Sequence, residues 1–329
     1  MKRVLVTGAG GFIGGHLVSS LIKKKYKVVC VDKKPLKYWF QIFKKSKNFS
    51  LDLNNYSNCV KVTKKIDYVF NLACNMGGMG FIERNKAACM ASVLINTNLL
   101  KASKKNKIKK YLFSSSACVY NAAKQNNINN PGLKEKDAYP AQPEDGYGWE
   151  KLFSERMCRH FQEDYGLNVR VVRLHNVYGT HGTYAGGREK APAAICRKIA
   201  DAKIKNKNVI DVWGDGKQTR SFMFIDDCIK GIFKIFFSNY YNPVNLGSSE
   251  RVSINEMIKI IEKIASHKVK KKYLLKKPKG VRGRSSDNKL LKNITKWEPN
   301  TKLSLGLEYT YNWIFKELSK NTSKVKFIK

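Results

Sequence analysis

The stretch VLVTGAGGFIGGHL, residues 4–17, changes character halfway along. It begins as a β-branched apolar run and ends as the start of an amphipathic helix, with Gly8, Gly11 and Gly14 spaced three apart at the junction. Gly8 permits a tight turn, Gly11 the close approach of a pyrophosphate, and Gly14 the contact of helix on strand. The helix amino terminus then points unpaired N–H groups at the phosphates. Spaced glycines also occur in ordinary turns. Their position between a first strand and a first helix makes these a dinucleotide-binding signal.

Outward from that turn, apolar runs alternate with helical patterns. KRVLVTG, KVVCVD, DYVFNLA, KYLFSSS and VRVVRLHNV read as strands, and 12–24, 81–105 and 147–165 as amphipathic helical stretches. Such alternation predicts βαβ units and a doubly wound parallel sheet covered on both faces, an α/β Rossmann architecture. From about residue 176 the loops become Gly-rich, the strands shorten (VIDVW, 209–213), and helices are expected near 191–202 and 253–266. The expected organisation is a nucleotide-binding domain over 1–175 and a smaller, partly interleaved C-terminal lobe over 176–318. A frayed tail is expected over 319–329. SFMFIDDCIKGIFKIFF (221–237) reads as a strand and helix returning to the main sheet, so 221–246 is assigned back to the first domain.

The 63 Lys and Arg against 25 Asp and Glu give a net charge of +38, which raises nucleic acid or anionic membrane as partners. The lysines are spread along the chain without a basic arm, so a solvated lysine-rich surface is the better reading and nucleic acid is disfavoured. No apolar run approaches the ~20 residues of a membrane span. Eight Cys without CxxC or clustered His point to thiols in a reducing cytoplasm, with no metal site. Only 12 of the 63 basic residues are Arg, and Arg188, Arg220, Arg282 and Arg284 fall in turn-rich segments, where a planar fork suits a phosphate.

The second strand ends on Asp32, where a carboxylate can accept from both ribose hydroxyls and repel a 2′-phosphate, favouring NAD over NADP. Lys33 and Lys34 count somewhat against that choice. Asp52 suits either the adenine end of the site or a helix cap. In YGWEK, Tyr147 and Lys151 lie one turn apart on one helix face. A lysine cation beside a phenol is expected to lower its pKa and make it a base near neutral pH. SSSACVYN (114–121) places Ser116 and Cys118 at a strand end. Cys118 reads either as an acid/base thiol or as a small buried hydrophobe, and Lys190 as its partner or as a surface lysine.

Together, the glycine turn, the hydroxyl-rich strand end and YGWEK resemble the extended short-chain dehydrogenase/reductase superfamily over nearly the whole chain. The segments NLACNMGGMGF (71–81), LHNVYG (174–179), GGREKAPAA (186–194), WGDGKQTRSFMFIDD (213–227), NLGSSERVSI (245–254) and GVRGRSSDN (280–288) are similar to those of its nucleotide-sugar epimerases. The resemblance implies a Ser116, Tyr147 and Lys151 triad, with Cys118 and Lys190 inverting carbons beside a transient 4-ketone. It implies NAD contacts from Phe12, Ile13, Leu53, Leu72 and Ala73 besides the residues above. It also implies GDP-hexose contacts from Gly77, Ala117, Asn176, Glu189, Lys198, Gln218, Arg220 and Arg282. The implied activity is 3,5-epimerisation by a homodimer. The alternatives are an epimerase–reductase of the GDP-fucose synthase kind, another nucleotide-sugar epimerase, or a non-catalytic NAD- or RNA-binding member.

Overall fold

The computed structural model describes residues 1–277 and 280–320. The first half of the chain runs through strands β1 (Arg3–Thr7), β2 (Lys27–Asp32), β3 (Lys47–Ser50), β4 (Tyr68–Asn71), β5 (Lys110–Ser116) and β6 (Val169–Leu174). Helices α1 (Phe12–Lys23), α2 (Tyr56–Thr63), α3 (Met79–Arg84), α4 (Lys86–Met90), α5 (Val93–Lys105) and α6 (Asp145–Tyr165) connect them. The later strands are β7 (Val177–Tyr178), β8 (Val209–Trp213), β9 (Thr219–Ser221), β10 (Met223–Phe224), β11 (Val244–Leu246), β12 (Arg251–Ser253), β13 (Lys270–Leu274) and β14 (Gly283–Arg284). Helices α7 (Ala191–Ile204), α8 (Ile225–Phe237), α9 (Ile254–Ala265), α10 (Lys289–Thr295) and α11 (Leu303–Lys320) lie among them.

The main sheet has the order β11-β6-β5-β4-β1-β2-β3, and every pairing in it is parallel. This is the doubly wound α/β sheet that the alternating sequence predicts. Successive residues of a strand face opposite sides. In β1, Val4 and Val6 join the core shared with α1, α8 and the later helices, while Leu5 joins the core under α2, α5 and α6. Both faces are therefore buried, which is why the strands read as continuous apolar runs rather than alternating ones. The chain reverses direction of progress between β1 and β4, and that switch point opens a crevice at their carboxyl ends.

Two readings need correction. The amphipathic stretch 81–105 is not one helix. Asn85 leaves helical geometry at φ −132° and ψ 42°, so three short helices occupy residues 79–105. The strand in SFMFIDD does not enter the main sheet either. Met223–Phe224 pairs with Val177–Tyr178 in a separate ribbon, and the strand that returns is β11, beside β6. Helix α8 does pack on the main sheet, beside α1. In the later region, β12, β9 and β14 form a small sheet, β8 pairs with β13, and α7, α9 and α11 pack on one another. Of the expected tail, residues 319–320 continue α11, and 321–329 lie outside the described residues.

One buried polar cluster sets the register of the site-bearing elements. Arg173 on β6 donates from Nε and Nη2 to the two carboxylate oxygens of Glu155 on α6, at 2.9 and 2.7 Å. Ser115 on β5 donates to the same carboxylate at 2.5 Å, and the ion pair is 3% and 4% exposed. Removing one partner strands the other charge in the interior. Arg173→Leu should therefore cost about 3–5 kcal/mol in urea denaturation. The double variant Arg173→Leu/Glu155→Leu should recover much of that loss. A single variant as stable as the parent would show that the pair braces nothing.

Candidate active site

The β1–α1 turn is packed too tightly for side chains. Gly8 has φ +68°, and a Cβ there would stand 2.8 Å from the Leu72 carbonyl oxygen. At Gly14 a Cβ would stand 2.1 Å from the Gly8 oxygen. Helix α1 begins after Gly11 with no side-chain cap and no acidic residue in its first turn, which leaves its N–H groups to an anion. In front of this turn lies a cavity of about 420 Å³. Its walls include Gly8, Gly11, Phe12, Ile13, Gly14, Asp32, Asp52, Leu53, Leu72, Ala73 and Gly77, and its floor Ser116 and Tyr147. Lys190 closes it from the later region. The glycine cradle, the unopposed helix terminus and the carboxylate at the end of β2 all fit a dinucleotide.

Asp32 accepts a hydrogen bond from the backbone N–H of Lys34 at 3.0 Å, and Asp52 likewise from Asn54 at 2.9 Å. Asp52 thus shapes a turn while facing the cavity. The cap of the following helix is Asn55, which accepts from the Ser57 N–H. Lys34, which counted against NAD, donates its ammonium to the Gly10 carbonyl at 2.8 Å. Burial lowers its pKa and Asp32 opposes that shift.

At the reaction end, Ser116 Oγ accepts the Cys118 N–H at 3.2 Å as β5 turns into a short 3₁₀ segment. Tyr147 and Lys151 are 5% and 1% exposed, so the helical pair is internal. The expected lowering of the phenol is reversed in the protein alone. Burial pushes Tyr147 up, Cys74, Cys118 and Glu150 add to that, and the Ser116 hydrogen bond opposes it. Lys151 is turned toward Glu150, 3.4 Å away, with its Nζ 5.6 Å from the Tyr147 ring centroid. Lys190 sits at the amino terminus of α7, where burial pulls its pKa down and the nearby Cys118 partly opposes.

Of the remaining residues expected on the substrate side, Arg220 is the one drawn to this centre. Arg220, near Cys118 and Arg282, is pulled down to about 10 by burial. Arg282 donates from Nη1 to both carboxylate oxygens of Asp215, at 3.1 and 3.2 Å. Gln218 and Asn176 bond to the Trp213 and Ser221 carbonyls, Lys198 to that of Asp211, and Glu189 accepts from Gly187. Ala117 is buried in a separate apolar cluster. Two residues were not assigned to the site from sequence. Arg284 donates to Cys118 Sγ at 3.7 Å and to Gln125 at 2.6 Å, and pairs with Glu144. Cys74 packs with Tyr147 and Cys118. The excess of Lys over Arg was the available signal for Arg284, and for Cys74 it was its place in the segment NLACNMGGMGF.

Fold and site together define a doubly wound α/β enzyme with a dinucleotide cradle leading to a Ser-Tyr-Lys centre. The chain belongs to the NAD dependent epimerase/dehydratase family, whose pattern matches residues 4–247, and its cofactor is NAD. It is 42% identical over 323 residues to GDP-mannose 3,5-epimerase of Arabidopsis thaliana, covering 98% of this chain and 84% of that one. It is 43% identical, with the same coverage, to GDP-mannose 3,5-epimerase 1 of Oryza sativa subsp. indica. Among solved structures it resembles UDP-glucuronic acid 4-epimerase from Bacillus cereus in complex with UDP-glucuronic acid and NAD. That match has a TM-score of 0.81 at 26% identity and covers 96% of this chain and 99% of that one. The fold also matches UDP-glucose 4-epimerase of Thermotoga maritima, with a TM-score of 0.86 at 24% identity and the same coverage.

Asp32 makes cofactor choice testable. NAD should bind far more tightly than NADP, and Asp32→Ala should narrow the gap by about 1–3 kcal/mol, the worth of a charged hydrogen bond. Titration of both cofactors by fluorescence measures it. Equal affinities in the unmutated protein would contradict the role of the carboxylate.

Proposed function

We propose that this enzyme inverts GDP-mannose at C3 and C5, giving GDP-L-galactose, with GDP-L-gulose as the C5-only product. The observation that supports this reading is that Lys190, Tyr147 and Ser116 line one cavity while Cys118 packs beside Tyr147. A plain 4-epimerase needs no second acid/base pair. A 3,5-epimerase needs one, because a proton must leave one ring face and return on the other.

Tyr147, hydrogen-bonded by Ser116 and backed by Lys151, takes the proton from the sugar C4 hydroxyl. NAD, when bound, supplies the oxidant for C4, gives the electrons back at the end, and brings a positive ring charge. That charge counters the burial that raises Tyr147 in the protein alone. Once C4 is a ketone, the hydrogens at C3 and C5 are acidic, and Cys118 and Lys190 remove and replace them. A lysine drawn down by burial can spend time neutral, as a proton acceptor must. Phe12, Ile13, Gly14, Asp32, Asp52, Leu53, Leu72 and Ala73 hold the dinucleotide. Gly77, Asn176, Glu189, Lys198, Gln218, Arg220 and Arg282 hold the sugar and its diphosphate.

The molecule acts as a homodimer in a reducing compartment, the cytoplasm. Supporting the dimer are Met90 and Leu94, 49% and 52% exposed, and Trp149 and Phe153, 44% and 54% exposed, on the α4–α5 and α6 segments. All eight cysteines are free thiols, which suits that compartment. We assign residues 1–175 with 221–246 to cofactor binding and the rest of 176–318 mainly to substrate binding.

Oxidation and inversion use different residues, so they should separate. With Cys118→Ala, GDP-mannose should still reduce bound NAD, seen as nicotinamide absorbance, while no epimer forms. Lys190→Ala should wash solvent deuterium into unepimerised GDP-mannose at C3 or C5, read by NMR in deuterated water. Normal epimerisation by Cys118→Ala would reduce that thiol to a packing residue and remove the support for a 3,5-epimerase.

A further inference from the structure

Helix α6 carries a third ionisable residue on the face of Tyr147 and Lys151, and the reaction as described does not use it. Residues 147, 150, 151 and 154 fall on one stripe of a helix. Glu150 and Lys151 are each 1% exposed, with Lys151 Nζ 3.4 Å from Glu150 Oε2. One turn on, Ser154 Oγ donates to Glu150 Oε1 at 3.1 Å. The ammonium is otherwise bordered by the Cys74 thiol and by rings, 4.7 Å from the Phe113 centroid and 5.6 Å from that of Tyr147. A lysine buried in such surroundings without a counter-charge gives up its proton.

We propose that Glu150 is a positioning residue whose carboxylate is the buried counter-charge that keeps Lys151 an ammonium beside Tyr147. The proposal rests on the reading of Tyr147 and Lys151 as the acid/base pair, and extends it to a residue that does not touch substrate. The groups facing Lys151 are Cys74, Cys158, Glu150 and the Tyr147 ring, and those facing Tyr147 are Cys74, Cys118, Glu150 and Ser116. Lys190 stands beyond them, beside Cys118 and Cys74. Glu150 is the carboxylate in this set. Burial draws Lys151 down, but Cys74 and Glu150 outweigh it and leave the lysine raised. The same carboxylate adds to the rise that burial imposes on Tyr147.

Removing the Glu150 charge should therefore lower both pKa values. Tyr147 would ionise at lower pH, moving the acid limb of activity down. Lys151 would lose its proton at lower pH, moving the alkaline limb down as well. The bell in kcat/KM for Glu150→Gln should thus slide toward acid by about one pH unit or more. A residue that only filled space would lower the maximum and leave both limbs in place.

Thermal stability supplies a readout without substrate. In the parent, Lys151 is raised, so its contribution persists up to the ordinary lysine pKa and is lost only above it. In Glu150→Gln the lysine is depressed. Burying its charge costs stability at low pH, and the cost fades as pH climbs toward about 10.4. The Tm gap between parent and Glu150→Gln should be widest near about pH 7 and shrink toward about pH 10. In Glu150→Gln/Lys151→Met, which carries neither charge, the gap to the parent should no longer change between about pH 7 and pH 10, and much of the Tm should return. If Glu150→Gln does not fold, the double variant still should. Parallel Tm curves, or a double variant no better than the single, would overturn the proposal. Should the parent make no epimer while the Tm gap narrows as described, the counter-charge stands and the proposed reaction falls.

Discussion

The Glu155 carboxylate, gripped by both prongs of Arg173 and by the Ser115 hydroxyl, is the contact on which the site geometry depends. Desolvating an ion pair is costly, and here several aligned hydrogen bonds offset the cost. Because the bonds are directional, α6 cannot slide or roll against β5 and β6 without breaking them. Ser116 follows Ser115 on the strand, and Tyr147 precedes Glu155 by eight residues on the helix, a little over two turns at ~1.5 Å per residue. Fixing Ser115 against Glu155 therefore fixes Ser116 against Tyr147. The chemistry at the strand end inherits its precision from a salt bridge that touches no substrate.

Burial then decides how the reacting groups behave. Tyr147 and Lys151 are buried and Lys190 is half-buried, so each responds to its neighbours more than it would at the surface. The phenol is pushed toward its neutral form, Lys190 likewise, and Lys151 is held charged. Around the Cys118 sulfur stand Lys190, Arg220 and Arg284, from α7, β9 and β14. A half-buried cluster of cations of this kind favours an anion beside it. The later region thus brings Lys190, Arg220 and Arg284 to a thiol carried by the first half of the chain.

What was legible in the sequence was local. Gly8, Gly11 and Gly14 are separated by a few residues, and their turn is dictated by backbone sterics that neighbouring residues set. Tyr147 and Lys151 are one helical turn apart, so the period of the helix alone puts them on one face. Glu150 lies on that same face and could have been found by the same count. The alternation of apolar runs with amphipathic stretches fixed a parallel sheet, because parallel strands need crossovers and both faces need cover.

The tertiary structure decided whatever depends on residues far apart along the chain. Arg284 reaches Cys118 across 166 positions, and no spacing rule links them. Arg282 and Arg284 are two residues apart, so the strand period does not choose between them; Asp215 captures Arg282, and Arg284 is the one that reaches the thiol. One break is local instead: at Asn85, which interrupts a pattern that reads as one helix, the side chain donates back to the Phe81 carbonyl four residues earlier, a bond that competes with the helical ladder. The sign of the Tyr147 shift was likewise out of reach. Composition shows that a lysine is near a tyrosine, but only burial and the surrounding thiols and carboxylate determine which way the proton leans.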